Sequence, residues 1–348
     1  MAPRPRRPTL RDIAAETGLS TAAVSYALRG LQVPPETQQR VREAAERLGY
    51  QADPIARALA SGRTGYVGVL CRSLEDIWQQ GLAAALGRGL LEAGRSALIV
   101  DASNDPGLEA TLAQRMVDQR VDALIALPVD PRALHWASIA QRVPLVSIGD
   151  GLPGVATAAE VVFDNAGSVT DALTRLADAG HRQITVFTSV AASTPDRPAE
   201  SVVSRVAEEL GIVATLCSSP YDLDGARAVA LEALSGDDPP TAFLCLADTI
   251  AYGVYAAAAE LGLRVPADIS VLGFDDNQVS RLLTPPMSTY RWPVTELVEL
   301  VVERTVRAVD HDRRSKRKVL TATAQMRGSV APPRGRDREG RLRIVKDG

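Results

Sequence analysis

The chain has 348 residues, 46% of them hydrophobic and 23% charged, and its formal net charge is −3. This length provides for about two or three domains with large hydrophobic cores. No run approaches the roughly 18 apolar residues of a membrane span, and no apolar run of signal-peptide length follows the basic first residues, so we expect neither a membrane protein nor a secreted one.

The number and spacing of the cysteines indicate the cellular compartment of the protein. Cys71, Cys217 and Cys245 are far apart in the sequence and show neither CxxC nor zinc-ligand spacing. An odd number of separated cysteines is simplest to explain by a reducing environment, so we expect a cytoplasmic protein.

The small net charge conceals an uneven distribution. Residues 1–63 carry 10 Lys/Arg against 6 Asp/Glu, and residues 313–348 carry 12 against 3. The remaining chain, residues 64–312, carries 17 Lys/Arg against 33 Asp/Glu. Basic ends on an acidic body are typical of a protein whose ends contact nucleic acid.

The first 50 residues predict three short helices. Thr9 can cap the first helix, with Asp12 as the acidic half of a capping box, and Gly18 can end it in a left-handed conformation. Ser20 is the natural N-cap of a second helix, and the third runs from about Pro35 to Leu48. Two short helices joined by a glycine-containing turn predict a helix-turn-helix.

The second helix of such a unit enters the major groove of DNA. Small and polar residues at its exposed face are candidates for contacts to base edges, and hydroxyls at the helix ends are candidates for contacts to phosphates. An ordinary three-helix packing domain is the alternative, but the turn chemistry and the adjacent basic terminus favour DNA binding. The candidate contacts are Thr9, Ser20, Thr21, Ala22, Ser25, Tyr26 and Arg29.

Three blocks in fixed order carry a family resemblance: TLRDIAAETGLSTAAVSYALRG, PPETQQRVREAAERLGY and DPIARALASGRTGYVGVL. Together they resemble the DNA-binding head and hinge of the lactose-repressor family of bacterial transcription regulators. Relatives usually carry Arg where this chain has Tyr26, and Asn where it has Arg29. Since Tyr offers one hydroxyl and a ring in place of a fork of donors, we expect a shifted operator preference.

The hinge, residues 54–63, also resembles the family. In relatives this segment becomes a short helix on operator DNA, and a leucine from each of two copies wedges into the minor groove. The resemblance implies the same role for Leu59, beside Ile55, Ala56 and Arg57, and apolar wedges are a known device in minor-groove binding. The alternative is that Leu59 packs against its own protein in a linker.

The body alternates apolar runs of strand length with amphipathic helices, which predicts parallel sheets covered by helices on both faces. We expect two doubly wound α/β lobes with a ligand cleft at the carboxyl ends of their strands. The predicted division is a helix-turn-helix head (1–53), a hinge (54–63), a body (64–330) with lobe one at 64–160 and 289–320 and lobe two at 161–288, and a basic, disordered tail (331–348).

The blocks GHRQI, DISVLGFDD, LTPPMSTYRWP and QMRGS resemble the family's effector domain, which shares the type I fold of periplasmic sugar-binding proteins. That resemblance implies a cleft in which an aromatic ring stacks on the ligand and carboxylates bind its hydroxyls. Ala199 and Ala247 replace an Arg and an Asn of relatives, which weakens the case for a sugar. The alternative is that the carboxylates cap helices or face water. The candidate cleft residues are Asp76, Trp78, Asp101, Asn104, Arg197, Asp248, Asp275 and Trp292.

We expect no enzyme, no cofactor and no metal. The run GRGLLEAG lies within a predicted helix and lacks the spacing of a dinucleotide loop. His135, His181 and His311 lack metal-ligand spacing, and His181 is better placed to cap a helix C-terminus. A secreted solute-binding protein would explain the body but not the head.

The expected protein is a cytoplasmic homodimer, since the tail lacks the heptad repeat of tetrameric relatives. Its expected partners are double-stranded operator DNA with a pseudo-palindromic site and a small-molecule effector, for which a sugar is one candidate. The most plausible activity is repression. A regulator that has lost small-molecule control is the remaining alternative.

Overall fold

The computed structural model describes residues 8–28, 30–31, 33–50, 62–188, 198–236 and 238–333. These form two compact units, one within residues 1–64 and the other within residues 65–348. Several predictions concern positions outside the described residues: those for the tail beyond 333 and those for Arg29, Ile55, Ala56, Arg57, Leu59 and Arg197.

The first unit contains helices α1 (Leu10–Thr17), α2 (Thr21–Leu28) and α3 (Pro35–Leu48). The carboxylate of Asp12 accepts hydrogen bonds from the Thr9 backbone N–H (2.7 Å) and hydroxyl (2.8 Å), as the capping prediction requires. Gly18 ends α1 with φ +68°, a conformation that glycine adopts without steric cost. The Ser20 hydroxyl oxygen accepts from the Ala23 N–H at 3.2 Å, which confirms the predicted N-cap of α2.

The core of this unit consists of six buried side chains, contributed by all three helices, and includes Ile13, Val24 and Val41 with no exposed surface. Each helix is too short to be stable alone, so this shared core holds the turn between α1 and α2 in place. The first unit is therefore the predicted three-helix head.

The second unit contains two six-stranded sheets. The first has the order β11–β5–β4–β3–β1–β2, and every neighbouring pair is parallel. Its elements are β1 (Tyr66–Cys71), α4 (Ile77–Glu92), β2 (Ser96–Asp101), α5 (Pro106–Asp118), β3 (Ala123–Ala126), α6 (His135–Arg142), β4 (Leu145–Gly149), β5 (Ala159–Phe163), α12 (Val294–His311) and β11 (Lys318–Leu320).

The second sheet has the order β12–β10–β9–β8–β6–β7 and is parallel except for the pair β10–β12. Its elements are α7 (Asn165–Asp178), β6 (Gln183–Thr188), α8 (Pro198–Ser201), α9 (Val203–Leu210), β7 (Val213–Ser218), α10 (Leu223–Leu234), β8 (Ala242–Cys245), α11 (Asp248–Glu260), β9 (Ser270–Phe274), a 3₁₀ turn (Gln278–Arg281), β10 (Ser288–Arg291) and β12 (Thr323–Gln325).

Both faces of each sheet are covered by apolar clusters, which is the arrangement expected of parallel sheets. Among the described residues, no helix combines the length and the apolar character that crossing a bilayer requires.

The lobe boundaries differ from the prediction at two points. Strand β5 pairs with β4 in the first sheet, so the chain enters the second lobe after Phe163 and not at residue 161. Strand β10 pairs with β9 in the second sheet, so the return to the first lobe follows Arg291 and not residue 288. The order of apolar runs identifies strands, but it does not show which sheet pairs with a strand next to a crossover.

His181 also differs from the prediction. Its ring is buried and does not cap a helix; Nδ1 lies 2.9 Å from the Thr241 hydroxyl, and Nε2 lies 3.0 Å from both the Ser270 hydroxyl and the Ala331 carbonyl. Burial lowers the pKa of His181 to about 4, so the ring is neutral near pH 7. His181 therefore connects the second sheet to the chain's last described residues.

Candidate functional site

The outer face of helix α2 in the first unit is open to solvent. Val24 and Ala27 point into the core, while Thr21 and Ala22 are exposed and Ser25 is half-buried. The side chain of Tyr26 is 42% exposed, which is high for a large aromatic residue. An exposed ring and small polar neighbours at the start of a short helix form a surface that fits a DNA groove.

Among the hydroxyls predicted to contact phosphates, those of Thr9 and Ser20 are partly committed to the fold. Thr9 donates its hydroxyl proton to Asp12, so this group acts first as a helix cap. The Ser20 oxygen accepts from a backbone N–H, which leaves its own proton to donate elsewhere. Ser20 is thus the better-placed phosphate donor of the two.

The second unit contains a cavity of about 120 Å³ between its two lobes. It lies at the carboxyl ends of the central strands, where β1, β3, β4 and β5 of one sheet face β6, β8 and β9 of the other. The polar lining residues are Arg72, Asp76, Gln79, Asp150, Asn165, Thr188, Glu200, Tyr221 and Asp275. This is the position at which doubly wound folds bind ligands.

Three aromatic rings form one wall of the cavity. Trp78 meets Phe163 edge-on, with centroids 5.7 Å apart, and Phe163 stacks on Trp292 at 4.4 Å with 24° between the planes. The indole Nε1 of Trp78 is buried and lacks a hydrogen-bond partner among the described residues. A buried donor in this state is costly, and a bound acceptor would satisfy it.

Asp76 belongs to the site and to the fold at once. It caps α4 by accepting from the Trp78 N–H at 3.1 Å, and it also accepts from the Gln79 side-chain amide at 3.3 Å. The Thr249 hydroxyl reaches the same carboxylate from the other lobe at 3.5 Å. Burial raises the pKa of Asp76, while the Arg72 guanidinium opposes that shift.

Arg72 forms a second connection between the lobes. Its guanidinium donates to the Tyr221 hydroxyl and lies 5.5 Å from the centroid of the Tyr221 ring. Although burial acts in the opposite direction, nearby groups that include Tyr221, Asp76 and Glu200 raise the pKa of Arg72. Arg72 is therefore positively charged, and it interacts electrostatically with several acidic groups at once.

Asp150 and Glu200 each accept a hydrogen bond from a neutral donor in the cavity. Asp150 accepts from the Asn165 side-chain amide at 2.7 Å, and Glu200 Oε1 accepts from the Thr188 hydroxyl at 2.5 Å. Burial raises the pKa of Asp275 well above its usual value, and the nearby carboxylates of Asp76 and Asp248 raise it further.

Four of the predicted cleft residues line this cavity: Asp76, Trp78, Asp275 and Trp292. Asp101 and Asn104 do not, because β2 is the edge strand and its carboxyl end lies beyond β1. Asp101 instead accepts from the backbone N–H groups of Leu74 (3.1 Å) and Ser103 (2.8 Å).

Asp248 also lies away from the cavity lining, contrary to the prediction. Its carboxylate is fully buried and accepts from the Ser280 hydroxyl (2.5 Å), the Thr289 hydroxyl (2.6 Å) and the Asn277 N–H (2.9 Å). These bonds join α11 to the ends of β9 and β10, so Asp248 stabilises the second lobe.

Several cavity residues were not predicted from the sequence. Arg72 directly follows β1 and Asp150 directly follows β4, so the expectation of a cleft at the carboxyl ends of the strands could have found both. Glu200 lies on the short helix α8 and Tyr221 precedes α10, where neither position follows a strand directly. Only the folded arrangement brings these two side chains to the cavity.

Comparisons with known proteins agree with both units. Residues 9–53 match the family described as bacterial regulatory proteins, lacI family, and residues 173–330 match the periplasmic binding protein-like domain. The HTH-type transcriptional regulator MalR of Streptomyces coelicolor is 33% identical over 84% of this chain and 88% of its own length. The ribose operon repressor of Haemophilus influenzae is 27% identical over 92% of this chain and 98% of its own length.

Solved structures share the fold. The lac repressor dimer bound to operator and an anti-inducer superposes with a TM-score of 0.79 at 23% identity, covering 94% of this chain and 100% of that one. The transcriptional regulator CelR in complex with cellobiose gives a TM-score of 0.64 at 24% identity, covering 93% of this chain and 100% of the other.

Proposed function

The chain belongs to the lacI family of bacterial regulatory proteins, and we propose that it represses transcription as a dimer whose operator affinity is set by a small molecule in the interlobe cavity. The observation that carries this proposal is the presence, in one chain, of an exposed recognition helix and a cavity at the switch point of two lobes. We infer no catalytic role for the cavity residues.

The dimer is supported by the geometry of DNA reading. One helix-turn-helix contacts a half-site, so a pseudo-palindromic operator requires two copies. The similarity to the lac repressor dimer supports the same assembly.

Control by a ligand is supported by the contacts that cross the cavity. Arg72 meets Tyr221, and Asp76 meets Thr249, each pair joining one lobe to the other. A ligand that bonds to Arg72 or Asp76 would change these contacts and so favour one arrangement of the lobes. It can shift the equilibrium only by its difference in affinity for the two arrangements. Asp275, Trp78 and Trp292 are the further residues we assign to ligand binding.

A regulator without small-molecule control is the second candidate. Ala199 lines the cavity and carries no polar group, which removes a donor that relatives possess. This candidate predicts that no metabolite changes operator affinity.

Selection of binding sites from random duplex DNA by the full-length protein tests the proposal. We expect a two-fold symmetric motif of two half-sites, because each head of a dimer reads one of them. Enrichment of no motif, both alone and with a bacterial metabolite extract, would contradict sequence-specific DNA reading. Adding the same extract to a binding assay with the selected operator then distinguishes the two candidate functions. A change in operator affinity favours the ligand-controlled repressor, and an unchanged affinity favours the regulator without small-molecule control.

A further inference from the structure

We propose that the effector carries a protonated amine on a small polyhydroxyl skeleton, and that Glu200 binds the ammonium group. This inference rests on the proposed function, since it names the ligand class of the same cavity. It is argued from the charges of the lining residues, the bonds they already make and the aromatic wall.

The lining of the cavity has more acids than bases. It contains the carboxyl groups of Asp76, Asp150, Glu200 and Asp275, while Arg72 is the one cation among its described lining residues. Burial raises the pKa of Asp76 and of Asp275, which lessens the share of these two groups in the negative charge. An uncharged ligand would displace water and leave these carboxylates less solvated than before.

Arg72 cannot neutralise this excess alone. Asp76, Asp150 and Glu200 all act on its charge, and its guanidinium already donates to Tyr221. The bond described for Glu200 comes from a neutral group, the Thr188 hydroxyl. A second positive charge supplied by the ligand would therefore be stabilised by the cavity as it stands.

Glu200 is the carboxylate best placed to bind a positively charged group of the ligand. Its Oε1 accepts from Thr188, while its Oε2 is buried and lacks a hydrogen-bond partner among the described residues. A buried carboxylate oxygen without a donor is costly, and an ammonium group offers three donors. Hydrogen bonds in which the donor or the acceptor is ionised are about twice as strong as bonds between neutral groups, and an ammonium–carboxylate bond adds the attraction between two opposite charges.

The other features of the cavity fit the rest of such a ligand. The unpartnered Nε1 of Trp78 can donate to a hydroxyl or ring oxygen. The faces of Trp78, Phe163 and Trp292 suit the C–H face of a polyol ring, and aromatic faces also attract a nearby cation. A protonated amino sugar presents all three groups: a cation, oxygen acceptors and an apolar face.

Matched ligand pairs test the inference in the full-length protein. Calorimetric titrations would compare glucosamine with glucose and galactosamine with galactose, so that each pair differs only in amine against hydroxyl. We expect the amine to bind at least about tenfold more tightly than its partner in one pair or both, a difference of about 1.4 kcal/mol. In Glu200→Gln this preference should fall below about threefold, since the amide keeps the shape but not the charge.

Glu208→Gln is the matched control, because Glu208 is an exposed carboxylate on the next helix and should leave the preference unchanged. Equal or tighter binding of the neutral sugar in both pairs would overturn the inference, as would no detectable binding of either amine. If a neutral sugar binds and alters operator affinity, the proposed function stands while the amine assignment fails. If no operator is selected from random DNA, the proposed function fails independently of these titrations.

Discussion

Asp248 and Asp275 show how neighbouring carboxylates of one lobe acquire different tasks. Asp248 is surrounded by two hydroxyls and a backbone N–H within its own lobe, so its bonding capacity is used for the fold. Asp275 lies at the cavity, with φ +108°, a conformation that aspartate seldom adopts. Strain of this kind at a strand end is common where a side chain must be aimed at a ligand.

The titration of Asp248 should be visible in the pH dependence of stability. Burial raises the pKa of Asp248 from an ordinary value near 4 to about 7 in the folded protein. Between these values the folded state holds the proton more tightly than the unfolded state, so a rise in pH favours unfolding. We expect the free energy of unfolding to fall by up to roughly 4 kcal/mol from about pH 4 to pH 7.

The comparison with Asp248→Asn isolates this effect, because the amide does not ionise. Urea unfolding of both proteins across the same pH range should give a difference in stability that changes with pH. A constant difference would mean that Asp248 keeps one protonation state throughout. Asp178→Asn, at the exposed end of α7, is the matched control.

Tyr26 offers a residue-scale test of DNA reading. It is exposed on α2, where a single hydroxyl and a ring replace the guanidinium that family members usually carry. Tyr26→Arg should shift the preferred base at one position of each half-site toward guanine, because Arg donates two bonds to the guanine edge. Each favourable contact contributes about 1–3 kcal/mol of discrimination.

Repeating the site selection with Tyr26→Arg would measure the shift. Selection of the same half-site by both proteins would show that position 26 does not read bases. Tyr26→Phe is the matched control, since it retains the ring and removes only the hydroxyl.

At the scale of secondary-structure elements, the sequence predicted correctly the features that are determined by residues within the same segment. The turn between α1 and α2 follows from Ser20 and Gly18 themselves, and both acted as predicted. The lobe membership of β5 and β10 depends on which distant strand each pairs with, and the sequence does not contain that pairing in a local form.

The cavity residues also divide into those that the sequence can identify locally and those that only the fold brings together. Asp275, which the family resemblance implied, lies at the cavity because it follows the central strand β9, whereas Asp101 lies outside the cavity because β2 is an edge strand. Glu200 reaches the cavity from a short helix, and no local pattern marks it. Predicting such a residue requires the packing of α8 against α7 and α9, which is a property of the fold and not of the segment.

Helices α10 and α11 pack closely at Gly253. A Cβ added there would lie 2.5 Å from the Ala226 Cβ and 2.6 Å from the Ala226 backbone carbon, which cannot move aside like a flexible side chain. Gly253→Ala should therefore lower the free energy of unfolding by about 1–3 kcal/mol.

Gly81→Ala is the matched control on α4, where an added Cβ meets nothing within 4 Å. This change should raise stability by about 0.5–1 kcal/mol, because alanine has the higher helix propensity. Chemical denaturation would measure both variants. A stabilised or unaffected Gly253→Ala would contradict the close approach of the two helices.

At the scale of the whole molecule, the lobes are joined by three crossings of the chain and by contacts across the cavity. The crossings follow Phe163, Arg291 and Leu320, and the contacts pair Arg72 with Tyr221 and Asp76 with Thr249. Such a pair of lobes can rearrange by small rotations at the crossings, as other hinged clefts do. Because the first lobe directly follows the hinge in the chain, its arrangement is the natural link between ligand and operator.

If a ligand in this cavity controls DNA binding, the coupling must be reciprocal. An effector that changes operator affinity by some factor, about 5- to 150-fold in typical systems, must itself have its affinity changed by the same factor when operator is present. Asp275→Asn should weaken effector binding at least about tenfold, since an amide cannot reproduce the hydrogen bonds of the carboxyl group to a ligand, and should leave operator affinity without effector within about twofold. Titrations of effector with and without operator, and of operator with and without effector, measure the two factors. Binding of effector by Asp275→Asn as tightly as by the wild type would show that the ligand acts at another site, such as the head, and Asp178→Asn should reproduce the wild-type values throughout.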